Sequence, residues 1–291
     1  MLKPNAAHVN SLGSSLTVSH YLCPPDWSLP RFLDAVVASG FSGVGLTERS
    51  LMEAPTASIR QELLDRKLYI SSLNSAGFFT WPGEKQHWQD SRNRDLLQWS
   101  VELGRAPLNL IVGGSGNLLP TVARARVLKA MTSFIREADG LGVPVMLEPM
   151  HPVQFRGKSC INTLAECERM LERFPSLGLT IDLFHTWWDP DLMRILDVYE
   201  KRVGVLQISD VAEDVGVPIR VPLDEGRLDW RFILSHALKQ NPNKPIELEL
   251  FMDQLPGRDI REILARADEA LQNIEHETGP RLPETNSYSG T

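Results

Sequence analysis

Apolar residues in this chain fall into short runs, separated by longer stretches in which they recur every three or four positions. Short runs bounded by Gly, Pro or polar residues read as buried strands, and the longer periodic stretches as amphipathic helices. The first run, Leu16-Thr17-Val18-Ser19-His20, leads through a Pro-rich loop to a helix over 29–39 that Gly40 ends. The second, over 43–47, ends at Glu48 and precedes a helix over about 56–66. The third, over 68–73, ends at Asn74 and opens into the aromatic loop Phe78-Phe79-Thr80-Trp81. A helix over 85–103 precedes the fourth strand, 108–112, which Gly113-Gly114-Ser115-Gly116 closes as a tight turn. Pro120 suits the first turn of a helix running to Leu141, and Gly142 stops it. The fifth strand, 143–147, ends at Glu148 and precedes a helix over 160–174. The sixth, 177–181, ends at Asp182, and Pro190 opens the helix after it. The seventh, 203–208, carries Gln207 near its end, and a long loop to Gly226 leads to a helix over 229–239. The eighth, 246–250, carries Glu249, and a helix over 258–276 completes the count.

Eight strand–helix pairs in one domain predict an α/β fold, a single (β/α)₈ TIM barrel. An open doubly wound sheet is the structural competitor, but no Gly-x-Gly-x-x-Gly follows the first strand. Residues 1–13 are expected to form an N-terminal extension, 14–276 the barrel, and 277–291 a polar tail that frays.

Composition narrows the partners. The chain has 291 residues, 42% hydrophobic and 23% charged, which suits a soluble globular protein with a sizeable core. Its net charge of −7 argues against non-specific nucleic-acid binding, which needs a basic footprint. Cys23, Cys160 and Cys167 form neither an even disulfide framework nor a zinc spacing. No apolar run approaches a membrane span, and Met1-Leu2-Lys3-Pro4-Asn5 lacks the apolar core of a signal peptide. A cytoplasmic protein with no nucleic-acid or membrane partner is expected. Barrels of this kind often pair through their rim loops, so a homo-oligomer is admitted.

The chemistry lies at the strand ends, which a barrel gathers on one face. In order they are His20, Glu48, Asn74, the Gly113 turn, Glu148, Asp182, Gln207 and Glu249. No Lys or Arg lies within eight residues of Asp182 on either side. A buried carboxylate is costly without a positive partner, so a metal ion or a group from elsewhere in the chain is implied. Glu148, Asp182 and Glu249 crowded together would repel, and a divalent cation relieves that repulsion. With Gln207 as a neutral ligand the shell is all oxygen, which favours Mn²⁺ or Mg²⁺ over Zn²⁺. The alternative is that Asp182 and Glu148 cap loops or helices while Glu249 faces solvent. Glu247 shares Glu249's face by strand alternation. Glu249 is nearer the strand end and is the expected ligand, which places Glu247 one layer deeper or makes the strand end irregular.

Several motifs carry a family resemblance: Val145-Met146-Leu147-Glu148-Pro149, Thr180-Ile181-Asp182-Leu183-Phe184-His185, Leu206-Gln207-Ile208-Ser209-Asp210, Arg220 with Asp224-Glu225-Gly226-Arg227-Leu228-Asp229, and Glu247-Leu248-Glu249-Leu250-Phe251. Together they resemble the xylose-isomerase-like barrel superfamily of sugar-phosphate isomerases and epimerases, over about 16–271. The resemblance implies metal ligation by Glu148, Asp182 and Glu249, and substrate contact by His185. Gln207 departs from the histidine of many relatives but matches some that are similar to hydroxypyruvate isomerases and dehydroshikimate dehydratases. Asp224 stands where the loop usually has glycine.

The function expected is a divalent-metal-dependent isomerase or epimerase of a sugar, keto-sugar or polyol-derived carbonyl. Glu148 and Glu249 would move the proton, and the metal would stabilise the enediolate. His185 would hold a substrate hydroxyl or the enediolate oxygen, and Arg220 a substrate oxygen. His151, Trp187, His20 and Glu48 are further substrate-contact candidates, each with a bland counterpart: loop packing, a hydrophobic wall, a rim residue, and a pair with Arg49. The main alternative is a lyase on the same scaffold, resembling dehydroshikimate or inosose dehydratase. A nuclease resembling endonuclease IV would need more clustered histidines and a basic groove. A metal-free binding protein would not need all four ligand-type residues.

Overall fold

The computed structural model describes residues 15–214, 216–272 and 274. The expected extension over 1–13 and tail over 277–291 lie outside them. The strands, in chain order, are β1 Leu16–Ser19, β2 Gly43–Thr47, β3 Tyr69–Gly77, β4 Leu108–Ile111, β5 Val145–Leu147, β6 Gly178–Asp182, β7 Val203–Ile208, β8 Asp210–Asp214, β9 Val217–Val221 and β10 Ile246–Leu248. Eight of them close into a single-domain parallel barrel in the order β1-β10-β7-β6-β5-β4-β3-β2. β8 and β9 form a separate antiparallel hairpin. The ring closes where Leu16, Thr17 and Val18 pair with Ile246, Glu247 and Leu248. There the Thr17 hydroxyl also donates to the Ile246 carbonyl at 3.1 Å.

Helices follow the barrel strands at the expected places. Pro120 opens the helix Pro120–Leu141, and Gly142 ends it at φ 68°, a left-handed conformation that glycine adopts without steric cost. Thr163 and Glu166 form a reciprocal capping box that fixes the start of Leu164–Arg173. No helix among the described residues is long and apolar enough to cross a membrane.

The strands are not the uniformly apolar runs that the sequence suggests. Val44, Leu46, Leu108, Leu110, Leu179 and Ile181 are fully buried in the hydrophobic core. The alternate positions hold Gly45, Asn109, Thr180, Asp182, Gln207 and Glu247, buried as well but largely polar. Period-2 alternation therefore separates an apolar outer wall from a polar barrel interior. Ordinary barrels of this class fill that interior with branched aliphatics. A polar filling is costly unless every group finds a partner.

Four local differences bear on the site. β3 continues past Asn74 to Gly77, so Asn74 lies within the strand rather than at its end. β10 stops at Leu248, which leaves Glu249 just beyond it. A single helical turn, Leu183–Thr186, starts directly after Asp182, whose carboxylate caps it by accepting from Phe184 N at 2.9 Å. The expected long loop before Gly226 contains the β8–β9 hairpin, a pairing of polar and β-branched residues that apolar periodicity does not reveal.

Gly45 is the tightest point of the interior wall. A Cβ there would lie 2.4 Å from Glu247 Oε2. Gly45→Ala is expected to destabilise the protein by about 1–3 kcal/mol, the usual cost of overpacking, measured by urea denaturation.

Candidate functional site

The barrel brings the sequence-named acids together. Asp182 and Gln207 are register partners across β6 and β7, and Gln207 and Glu247 across β7 and β10. Glu148 follows β5 and is tied to β4 by its N–H donating to the Leu110 carbonyl at 3.0 Å. Glu249 follows β10 and donates its N–H to the Ile208 carbonyl at 2.9 Å. All four side chains, and Glu247 below them, are buried.

The positive partner that Asp182 lacks locally is Arg220, carried in by β9. Its two terminal nitrogens grip both Asp182 oxygens, one at 3.1 Å and the other more closely. The second nitrogen also lies 3.1 Å from Glu249 Oε2. That approach is too poorly aligned for a hydrogen bond, so Oε2 is left without a hydrogen-bond partner. The guanidinium stands 4.4 Å from the Phe184 ring centre and 5.3 Å from that of Phe251.

Burial sets the proton affinities. Glu148 is pushed up to about 8 by burial and by the charge of Asp182, against the pull of Arg220 and Asn109. Burial, with the charges of Asp182 and Glu148, drives Glu249 well above the usual carboxylate range despite Arg220. Burial raises Asp182 too, but Arg220 and His185 outweigh it and hold that group low. Glu247 is raised by burial even though it accepts from Ser71, Gln207 and Ser72. His185 is lowered to about 3, chiefly by burial.

His185 faces the acids, with Nε2 3.6 Å from Asp182 and 3.8 Å from Glu148. Its Nδ1 accepts the His151 backbone N–H at 3.2 Å. A neutral ring held this way keeps its own proton on Nε2, aimed at the carboxylates. The Arg220 nitrogen 3.5 Å from Nε2 is then a close approach rather than a donor to it. Among the described residues, Glu148, Asp182 and His185 form a group of two acids and one histidine whose ligand atoms lie within 4.8 Å of one another.

A cavity of about 500 Å³ opens beside this cluster, within the usual range for a small-molecule site. His20, Glu48, Asn74 and Phe251 line it. His20 is buried, with Nδ1 2.9 Å from the Thr47 hydroxyl and Nε2 without a partner. Burial and Arg49 lower it to about 4. Glu48 pairs with Arg92 at 3.0 Å instead of Arg49, whose guanidinium donates to the carbonyls of Cys23, Pro24, Pro25 and Trp27. Helical Arg92 reaches Glu48 across the fold, a contact that sequence adjacency does not suggest.

Trp187 is the residue that the structure moves away from the mouth. It is 39% exposed and lines a different groove, with Leu192, Met193 and Phe232. The helical turn after Asp182 rotates successive side chains by about 100° each, which carries Trp187 outward. Trp188 turns inward, donating Nε1–H to the His185 carbonyl at 2.9 Å and meeting the His151 ring edge-on.

Sequence reasoning missed four contributors. Asn109 donates through Nδ2 to both Glu148 and Asn74 Oδ1. Ser71 and Ser72 donate to Glu247 Oε2 at 2.5 and 2.8 Å. Lys158, exposed at the rim, stands 5.9 Å from the Phe251 ring centre, and its charge reaches Glu148 and His185. It forms no ion pair among the described residues. Asn109 and Ser72 were hidden inside apolar-looking runs that only a strict alternation count would have resolved, and Ser71 joins Ser72 on the interior because the β2–β3 register shifts there.

The donor set fits a divalent cation. Glu148, Asp182 and Glu249 are buried at their strand ends, Gln207 is the register partner of Asp182, and Gln207 Oε1 is buried with no partner while its Nε2 is engaged by Glu247 at 2.9 Å. An unpaired buried amide oxygen is costly, and a hard cation is the partner it suits.

The residue pattern matches known proteins. A profile of the family described as Xylose isomerase-like TIM barrel matches residues 33–275, and the chain belongs to that family. It is 24% identical over 284 residues to a 3-dehydroshikimate dehydratase of Pseudomonas putida, covering 89% of this chain. The chain spans 42% of that relative's length. A solved structure from Sinorhizobium meliloti has a TM-score of 0.81 at 23% identity, covering 90% of this chain and 98% of the other. A D-allulose 3-epimerase from Methylomonas sp. has a TM-score of 0.71 at 18% identity, covering 89% and 96%.

Two outcomes follow from the electrostatics. Glu148 is held about 8 in the folded chain against its ordinary 4.5, so the folded state keeps a proton that the unfolded state releases. Stability of chelator-treated protein therefore falls as pH rises through that window. The lowered histidines, His20, His151 and His185, act in the opposite direction, but only below their ordinary 6.5. Between about pH 6.5 and 8 the net slope is downward, at most about 1.4 kcal/mol per pH unit for each proton. Glu148→Gln should flatten it in urea melts. Arg220→Leu strips the buried acids of their counter-charge and should cost the metal-free protein about 3–5 kcal/mol by the same measurement.

Proposed function

We propose that this chain is a divalent-metal-dependent enzyme that removes a proton activated by a carbonyl. We further propose that its reaction is elimination of water from a hydroxylated, carboxylate-bearing cyclic ketone of the 3-dehydroshikimate type. The observation that carries the first part is the burial of Glu148, Asp182 and Glu249 at the ends of their strands, with Gln207, the register partner of Asp182, leaving its Oε1 without a partner. Glu148, Asp182, Gln207 and Glu249 would hold Mn²⁺ or Mg²⁺, which supplies Lewis-acid polarisation of the substrate carbonyl.

The chain's own residues do the proton work. Glu148 and Glu249 project from strands that β6 and β7 separate in the ring, so they can address opposite sides of a bound substrate. Both are buried carboxyls, the group type that takes and returns a proton in such a step. One takes the proton from carbon, and the other returns a proton to the departing hydroxyl, which leaves as water. His185, with its Nε2–H aimed inward, donates to a substrate oxygen. Arg220 and the apolar rings of Phe184 and Phe251 keep that region short of water.

Two observations favour the dehydratase over the isomerase. The Pseudomonas relative carries that activity in its name. Lys158, an uncompensated cation at the rim, suits a substrate carboxylate that a neutral sugar lacks. The isomerase or epimerase reading uses the same first step, with the proton returned to a neighbouring carbon, and the likeness to D-allulose 3-epimerase supports it.

Incubation with Mn²⁺ and 3-dehydroshikimate should yield water and the aromatic 3,4-dihydroxybenzoate, followed by its ultraviolet absorbance. Solvent-deuterium uptake by D-allulose without water loss, and no aromatic product, would reverse the preference. Chelation should abolish turnover, and Glu148→Gln or Glu249→Gln should each lower kcat by at least about 100-fold.

A further inference from the structure

Glu247 has no part in the reaction just described, yet the interior is built around it. It is fully buried, and β2 offers only Gly45 opposite its carboxylate, where a Cβ would clash at 2.4 Å. Its Oε1 accepts from Gln207 Nε2 at 2.9 Å. Its Oε2 accepts from the Ser71 and Ser72 hydroxyls at 2.5 and 2.8 Å. Ser72 in turn accepts from Asn74 Nδ2 at 2.9 Å. Asn74 Oδ1 accepts from Asn109 at 2.9 Å, and the same Asn109 nitrogen donates to Glu148. Glu247 thus holds one of the four oxygen donors, Gln207, directly, and three side chains, Ser72, Asn74 and Asn109, link it to a second, Glu148.

The donor directions in this chain are fixed by chemistry. A carboxylate only accepts, so the amide it holds must turn its nitrogen toward it. Gln207 is therefore locked with Nε2 inward and Oε1 free, and Oε1 is the atom left without a partner. Were the amide reversed, N–H groups would face the acid cluster and no cation could be held there. Asn109 is locked the same way: one N–H is committed to Asn74 and the other to Glu148.

We propose that Glu247 is the positioning residue of the metal centre, orienting Gln207 directly and Glu148 through Ser72, Asn74 and Asn109. This rests on the reading of Glu148, Asp182, Gln207 and Glu249 as a cation site. Outer groups that orient metal ligands typically change affinity about 10- to 100-fold when removed.

The test is titration of full-length protein with Mn²⁺ alone, following free Mn²⁺ by electron paramagnetic resonance. Glu247→Leu, which keeps bulk but removes the acceptor, should weaken binding about 10- to 100-fold in protein that is still folded. Glu247→Gln removes the charge but retains an acceptor and should stay much closer to wild type. Equal losses in the two would assign the effect to charge and overturn the proposal, as would unchanged affinity in Glu247→Leu.

If the leucine variant does not fold, the exchange Glu247→Gln with Gln207→Glu decides. It restores one donor facing one acceptor at constant charge and should bind Mn²⁺ far better than Gln207→Glu alone, where two acceptors face each other. No recovery in the exchange overturns the orienting role. Wild-type protein that binds no Mn²⁺ overturns the cation site itself, and this proposal with it.

Discussion

Four carboxylates, Glu148, Asp182, Glu247 and Glu249, are buried inside one barrel, and their mutual repulsion is the constraint to which the surrounding structure answers. Each is met differently. Asp182 takes a guanidinium from a separate hairpin. Glu247 takes two hydroxyls and an amide from neighbouring strands. Glu148 takes the side-chain amide of Asn109, and Glu249 shares the edge of Arg220. One guanidinium serves the whole set, and burial makes Glu148 and Glu249 hold their protons more tightly than ordinary carboxyls; oxygen donors gathered beside an unpaired amide oxygen are what suit the centre to a divalent ion. The polar barrel interior, unusual for this architecture, is the means by which so much buried charge is tolerated.

Much of the fold was legible along the chain because its strands are short, several of its helices, Leu164–Arg173 and Ile260–Gln272 among them, are strongly periodic, and its stop signals are local. Gly142 and Pro120 acted where such residues act in isolated helices. The strand-end acids were legible for the same reason: a carboxylate such as Asp182 closing the run Leu179-Thr180-Ile181 stands out against its neighbours. What stayed hidden depends on distance. Arg220 reaches Asp182 from a hairpin whose strands mix polar and β-branched residues, so no apolar rhythm announced it. Asn109 and Ser72 sit inside segments that look apolar when averaged, and their inward direction emerges only once the strands have a common register. Trp187 misled because a single unanticipated helical turn changed where the following side chains point.

Membership of the xylose isomerase-like family fixes the architecture and leaves the chemistry to individual positions, as is general for folds that host many reactions. Here the distinguishing positions are few. An amide at position 207, a proposed ligand, offers a neutral oxygen beside the acids and places an orientation requirement on the group beneath it, because a reversed amide presents N–H groups instead of its oxygen. The rim contributes the other distinction, a lysine that forms no ion pair among the described residues and stands near Phe251, which lines the cavity.

The seam between β1 and β10 joins residues from opposite ends of the sequence, Thr17 with Glu247 among them. Contacts so remote along the chain carry a larger loop-closure cost than local ones. Two of the four acids, Glu247 and Glu249, belong to that closing strand or follow it directly. The buried acid cluster is thereby complete only in a closed ring, and a fragment lacking the final strand would lack half of its carboxyls.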